Sequence, residues 1–323
     1  MFKKIFLFLL VIFNNTLLFT RAKVTEIEIE KLKSIKDTKN RFLEYTKMSK
    51  NKIGDKWFYY GTTKEVGDEA TFKEDLHLSN QTFKHEADIQ AATFEKGLFC
   101  TNVLFEKDAL FQDSIFKGYL KFEGAKFKGK ADFKNTKILN TSNFVFAIFD
   151  TETIFEKAFF RGKTYWHKAQ IKKTANFENV IFKDIADFLG TKFMWDVDFS
   201  DSKFEQKAKF RFTEFMKITR FRKVLFKQLA DFFGSHFKNR ADFSNSKFEQ
   251  EALFRWVKFE GPLNFTSVIF KNLANFKYSN LINQSAEFWG AEYSGENAKY
   301  IPEKYQNQMK KVGEETTRET YIY

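Results

Sequence analysis

The sequence predicts an all-β solenoid, and two observations predict it. A bulky apolar residue returns every five and then every six residues from Phe72 to Leu281, and a small residue stands two positions before nearly every one. Two interleaved series step by eleven: Phe72, Phe83, Phe94 and on to Phe270 and Leu281, and Leu78, Ile89, Cys100, Phe111 and on to Phe265 and Phe276. Every position is Phe except Leu78, Ile89, Cys100, Ile138, Trp166, Ile171 and Leu281. The small partners include Ala131, Ala147, Ala175, Val180, Ser202, Ala208, Thr213 and Ala241; Gln81 is the misfit, and Leu76 and Leu263 are larger than the rest.

Residues two apart point to the same side of an extended chain. Each unit of five or six residues therefore reads as a short extended segment with one large and one small inward side chain, followed by a turn. A helix is excluded, because Phe at this spacing wanders around a surface of period 3.6. An ordinary sandwich needs longer strands and Gly/Pro turns, and the chain has only 14 Gly and 2 Pro. Internal repetition overrides the two-domain expectation for 323 residues, because a solenoid grows in one dimension.

The units Ala175-Asn-Phe177, Ala186-Asp-Phe188 and Ala230-Asp-Phe232 resemble the pentapeptide-repeat family, in its Phe-rich form with alternating five- and six-residue spacing. The resemblance covers roughly residues 70 to 281. It implies a right-handed quadrilateral β-helix with four units per coil, about ten coils of 22 residues, and an interior filled by the Phe and the small residue. It implies no activity, because the family spans many roles. At ~4.8 Å per coil the rod is roughly 45–50 Å long.

The chain divides into four stretches. Residues 1–22 read as a secretory signal: Lys3 and Lys4, an apolar run from Ile5 to Phe13, and Thr20-Arg-Ala22 as a small-residue exit. An uncleaved membrane tether is the other reading. Residues 23–69 read as a charged, helical N-terminal cap ending in Trp57-Phe-Tyr-Tyr-Gly61, residues 70–284 as the β-helix, and residues 285–323 as a C-terminal cap and tail. Solenoids need caps, since an open end exposes a sheet edge and apolar core. Phe288 is one residue out of register with Phe276, so the ladder is expected to break there. Pro302 is positioned to open a helix carrying Tyr305, Met309 and Val312.

A longer period runs through the rod. Val180 to Phe188, Val224 to Phe232 and Val268 to Phe276 are near-copies 44 residues apart, which is two coils. Residues 22 apart stack, so Lys183, Glu205, Lys227, Glu249 and Lys271 form a column of alternating sign. Asp187, Lys209 and Asp231 form a second column, and Asp198, Arg220 and Asp242 a third. Opposite charges at ~5 Å favour this register, whereas a strict 22-residue repeat would stack like charges. Duplication of a two-coil unit without selection for charge gives the same pattern.

The sequence contains no Gly-rich phosphate loop, Cys-x-x-Cys, His-Glu-x-x-His or Gly-x-Ser-x-Gly motif. The four histidines fall at outward positions, and His167 beside Trp166 and Lys168 reads as a solvated surface residue. Cys100 occupies a Phe position and reads as a buried small hydrophobe. No catalytic, cofactor-binding or metal-ligating residue is expected, and the chain reads as no enzyme. Carbohydrate-cleaving β-helix enzymes use larger coils with long inserted loops, which this ladder lacks.

The net charge is +12, or +9 once Lys3, Lys4 and Arg21 leave with the signal. Some pentapeptide-repeat proteins mimic duplex DNA and bind topoisomerases. That role requires an acidic rod, and the basic balance and the export signal speak against it. The expectation is an exported, non-enzymatic scaffold for a structural or binding role, with an unknown protein or an anionic partner. Lipid headgroups, polysaccharide and nucleic acid are the anionic candidates; surface Lys that merely keeps a Phe-rich rod soluble is the alternative. A homodimer through a terminal cap is a further expectation.

The candidate binding residues are Lys209, Arg211, Phe212, Arg255 and Trp256. Phe212 and Trp256 lie in one outward column with Gly190, Gly234 and Tyr278, each 22 apart. Aromatic rings beside Arg suit stacking against sugar rings or bases. The alternative is that each ring folds over the Gly of a neighbouring coil.

Overall fold

The computed structural model describes residues 71–84, 86–281, 285–294 and 300–312. The stretches expected to be a secretory signal and an N-terminal cap with Trp57-Phe-Tyr-Tyr-Gly61, and the tail from Glu314, lie outside the described residues. The rest is a four-sided parallel β-solenoid of about 11 coils with 22-residue spacing.

Nearly every strand is two residues long and hydrogen-bonds the strand 22 residues on, as in Phe204↔Phe226 and Phe226↔Phe248. The strands stack into four sheets of 12, 10, 9 and 10 strands, one per side of the rod. The first face runs from Thr71–Phe72 through Ile269–Phe270, the second from Leu76–His77 to Ala274–Asn275. The third runs from Thr82–Phe83 to Lys258–Phe259, the fourth from Ala87–Asp88 to Ala286–Glu287. The first and third faces are opposite each other.

Every ladder residue is buried, none more than 3% exposed. Within a face the rings stack: Phe210 lies 4.9 Å from both Phe188 and Phe232 at interplanar angles of 3° and 7°. Across the interior they meet edge to face: Phe210 and Phe221 are 5.2 Å apart at 80°. Offset stacks and T-contacts are the two arrangements that the ring quadrupole favours, so Phe fills this interior without strain. Trp166 keeps the column, 4.1 Å from Phe144 at 11°.

The Ala-Asp-Phe pattern has a local cause. The strand-borne Asp or Asn oxygen accepts the backbone N–H two residues on, as with Asp187 to Leu189 (3.2 Å), Asp231 to Phe233 (3.0 Å) and Asn264 to Thr266 (2.8 Å). It satisfies a turn N–H that the ladder leaves open. The small inward residues are also more than fillers. The hydroxyls of Ser202, Thr213 and Ser235 donate to the carbonyls of Phe177, Phe188 and Phe210 in the coil before, at 2.6, 2.8 and 2.7 Å.

The ladder does not break at Phe288. Phe288 is buried and stacks on Phe265 at 4.9 Å, and Leu263 pairs with Ala286. One extra residue is absorbed between these strands, and the core pays no void for it because the ring regains its column. The helix opened by Pro302 spans only Glu303–Gln306. Met309 lies beyond it, and Lys310–Val312 pairs as a strand with Glu292–Ser294. An open sheet edge offers unpaired N–H and C=O groups, and pairing satisfies them where further helix would not. Tyr305 is buried against Phe288 at 5.3 Å.

Candidate functional site

The corner between the second and third faces is built by one turn repeated up the rod. The N–H of Thr213 donates to the carbonyl of Phe210 (3.2 Å), Ser235 to Phe232 (3.0 Å) and Ser279 to Phe276 (3.0 Å). The third residue of each turn has positive φ: Phe212 +54°, Gly234 +67°, Trp256 +58°, Tyr278 +63°. A positive φ at that place alone marks a type II turn, which suits Gly or Asn and burdens a bulky side chain. Lower in the column stand Asn80, Asn102 and Gly124, as the turn prefers. Phe146, Phe212, Trp256 and Tyr278 depart from that preference, and each is more than half exposed.

The structure divides the five candidate residues. Phe212 folds over Gly234, where a Cβ would lie 2.7 Å from the ring. It also meets Phe233 edge to face at 5.5 Å. Arg211 lies over the Phe233 ring at 5.3 Å and 3.7 Å from Asp231. Lys209 donates to Asp187 at 3.1 Å. These three are engaged with their own rod.

Trp256 has no Gly to cover. Its ring packs on Tyr278 at 4.8 Å and 30°, and Lys277 lies 4.8 Å from the Tyr278 ring. Arg255 is half-buried beside them, and its buried Nε has no hydrogen-bond partner. Trp256, Tyr278, Arg255 and Lys277 thus make a two-ring platform with two cations at its edge. Sequence reasoning named the column but not Lys277 or Phe146; following the same 22-residue step one place aside, or further down, finds both. It also missed Trp195, held between Lys173 at 5.2 Å and Lys217 at 5.5 Å on the corner between the third and fourth faces.

The charge columns form in part as read. Lys183 lies 2.8 Å and Lys227 3.9 Å from Glu205, Lys209 reaches Asp187, and Arg220 lies 3.9 Å from Asp198. Other anions are met diagonally: Asp242 by Arg240 (3.5 Å) and Arg222 (3.9 Å), Glu249 by Lys247 (3.2 Å). Glu205 is the hub, since Lys203 also lies 3.0 Å away. Hydrogen bonds from Lys183 and then Lys203 hold its carboxyl down to about 2, against an ordinary 4.5. A depressed folded pKa means the stabilisation is complete above 4.5 and is lost as pH falls through 2. Glu205→Gln should cost roughly 0.5–1 kcal/mol at neutral pH. The difference from the parent in urea midpoints should shrink as pH drops through that window; a difference constant with pH defeats the assignment.

Burial pushes the Cys100 thiol far up, which leaves it an inert core residue. Among the described residues, no group of three His, Cys, Asp or Glu side chains is placed to hold a metal ion.

The family model for pentapeptide repeats (9 copies) matches residues 111–158 and 232–280, the same ladder whose coils stack at 22-residue spacing. The ladder of this chain is built of pentapeptide repeats. No curated protein and no solved structure matches it significantly. In this pentapeptide-repeat rod, the corner between the second and third faces carries exposed rings at positive φ.

Proposed function

We propose that the chain is an exported, non-enzymatic scaffold, and that its Trp256–Tyr278 corner contacts an anionic partner with stackable rings, such as an acidic polysaccharide. The observation that carries this is two bulky rings, each 56% exposed, at positive φ where Asn or Gly is the comfortable residue. Left-handed backbone costs a non-Gly residue about 1–2 kcal/mol, and exposed rings recover little of it by burial. Arg255 and Lys277 supply charge at the edge of the platform, as stacking on a charged sugar or base requires.

Trp256→Gly with Tyr278→Gly tests the reading cleanly. Gly relieves the turn, while the lost ring contact removes about 0.5–1.5 kcal/mol, so the melting point should stay nearly unchanged. Retention on an acidic polysaccharide such as heparin should fall to lower salt, and Arg255→Glu with Lys277→Glu should do the same. Retention of both variants at the parent salt concentration rejects the corner as a contact site.

Export rests on the Lys3-Lys4 start, the Ile5–Phe13 run and the Thr20-Arg-Ala22 exit. Fractionation of the native host should find the protein outside the cytoplasm with an N-terminus at Lys23. Intact Met1 on a cytoplasmic protein is the contrary result.

A further inference from the structure

The four faces differ in what they turn outward. On the first face, the outward strand position is apolar in five coils: Ile115, Phe159, Ile181, Leu225 and Ile269. Lys137, Lys203 and Lys247 alternate with them, and no acid occupies that position from Thr71 to Ile269. The next outward position, in step with Lys73, holds Lys or Arg in six coils and Glu in three. The strand position of the fourth face is the reverse, with Asp88, Asp132, Asp198, Asp242 and Glu287 against the single Arg220. The strand position of the first face is thus free of acids from Thr71 to Ile269, whereas the charged residues at that of the fourth are mostly acidic.

Within the first face the charge concentrates further. Toward the ends, Glu95 pairs with Lys117 at 2.8 Å, Glu205 gathers three lysines, and Glu249 meets Lys247. Between them, Lys137 and Arg161, with Lys163 at the corner to the second face, are exposed and carry no ion pair among the described residues. Half-buried Leu139, Phe159, Ile181 and Ile185 lie among them.

We infer that the first face docks on an anionic lipid bilayer. A bilayer is the partner that is at once planar, anionic and apolar beneath its headgroups. The face is a sheet of 12 parallel strands, straight along the rod, with cations at headgroup height and aliphatic side chains between them. A second copy placed face to face repels it, because from Thr71 to Ile269 every charged residue at the strand position is a cation. A nucleic acid would use the cations but leave the aliphatics without a role. The aromatic corner lies between the second and third faces, on the side away from the bilayer, so this inference stands independently of it.

The test is co-sedimentation of the full chain with phosphatidylcholine vesicles with and without phosphatidylglycerol, the readout being the ratio of the two partition coefficients. Taking that ratio cancels any neutral contribution from the apolar N-terminal run, which all variants share. Lys137→Gln, Arg161→Gln and Lys163→Gln together should lower the ratio roughly a hundred-fold, from about one kcal/mol per cation near an anionic surface. Phe159→Ser should weaken binding to the anionic vesicles further. Lys84→Gln, Lys128→Gln and Lys238→Gln on the opposite face should leave it nearly unchanged, as should Trp256→Gly with Tyr278→Gly. The inference is overturned by a parent ratio near one, by equal losses from the two lysine sets, or by Phe159→Ser having no effect. That last result, with an oligonucleotide displacing the vesicles, points to nucleic acid instead.

Discussion

Phe210→Ala should cost about 3–5 kcal/mol of unfolding free energy. Phe210 is fully buried, stacked between Phe188 and Phe232, and edge-on to Phe199 at 5.5 Å and Phe221 at 5.2 Å. Its removal leaves four rings facing a void that two hydrogen-bonded sheet edges above and below cannot collapse to fill. In a one-dimensional stack each coil is held only by its neighbours, so the loss weakens both interfaces of that coil at once. Chemical denaturation followed by far-UV circular dichroism measures it. A cost below about 1 kcal/mol means that the ladder is not the core.

Gly118→Ala should be the next most damaging single change, at about 2–3 kcal/mol for one added methyl group. A Cβ on Gly118 would lie 2.2 Å from the carbonyl carbon of Lys96 and 2.5 Å from the Gly97 nitrogen. Both are backbone atoms of the coil below, already fixed by the sheet, so neither a rotamer change nor a swinging side chain relieves the contact. Gly162, two coils on, meets the backbone of Asn140 at 2.5 Å in the same way. Gly190→Ala is the comparison, since a Cβ there meets only the Lys168 side chain at 3.5 Å. It should cost no more than its left-handed backbone demands, about 1–2 kcal/mol. Equal melting points for Gly118→Ala and the parent show that the coils can separate, contrary to the packing described.

The sequence by itself determined the coil. A large and a small inward residue at five- and six-residue spacing leave one way to bury every Phe, and residues such as Phe204 and Phe226 must then stack at a separation of 22. That register needs no tertiary knowledge, because each coil contacts only the next. The inertness of buried Cys100 and the contact of Lys183 with Glu205 follow from the same step. Tertiary structure decided what happens wherever the step is broken or a side chain reaches diagonally. The extra residue before Phe288 looked like an end to the ladder, yet the ring regains its column because an unfilled interior costs more than one residue added between strands. Met309 and Val312 carry a helical spacing, but the open edge of the first sheet recruits Lys310–Val312 as a strand. At the candidate site, spacing put Phe212 and Trp256 in one column and treated them alike. Only the coil above separates them: Gly234 receives the Phe212 ring, whereas the Trp256 ring packs on the Tyr278 ring.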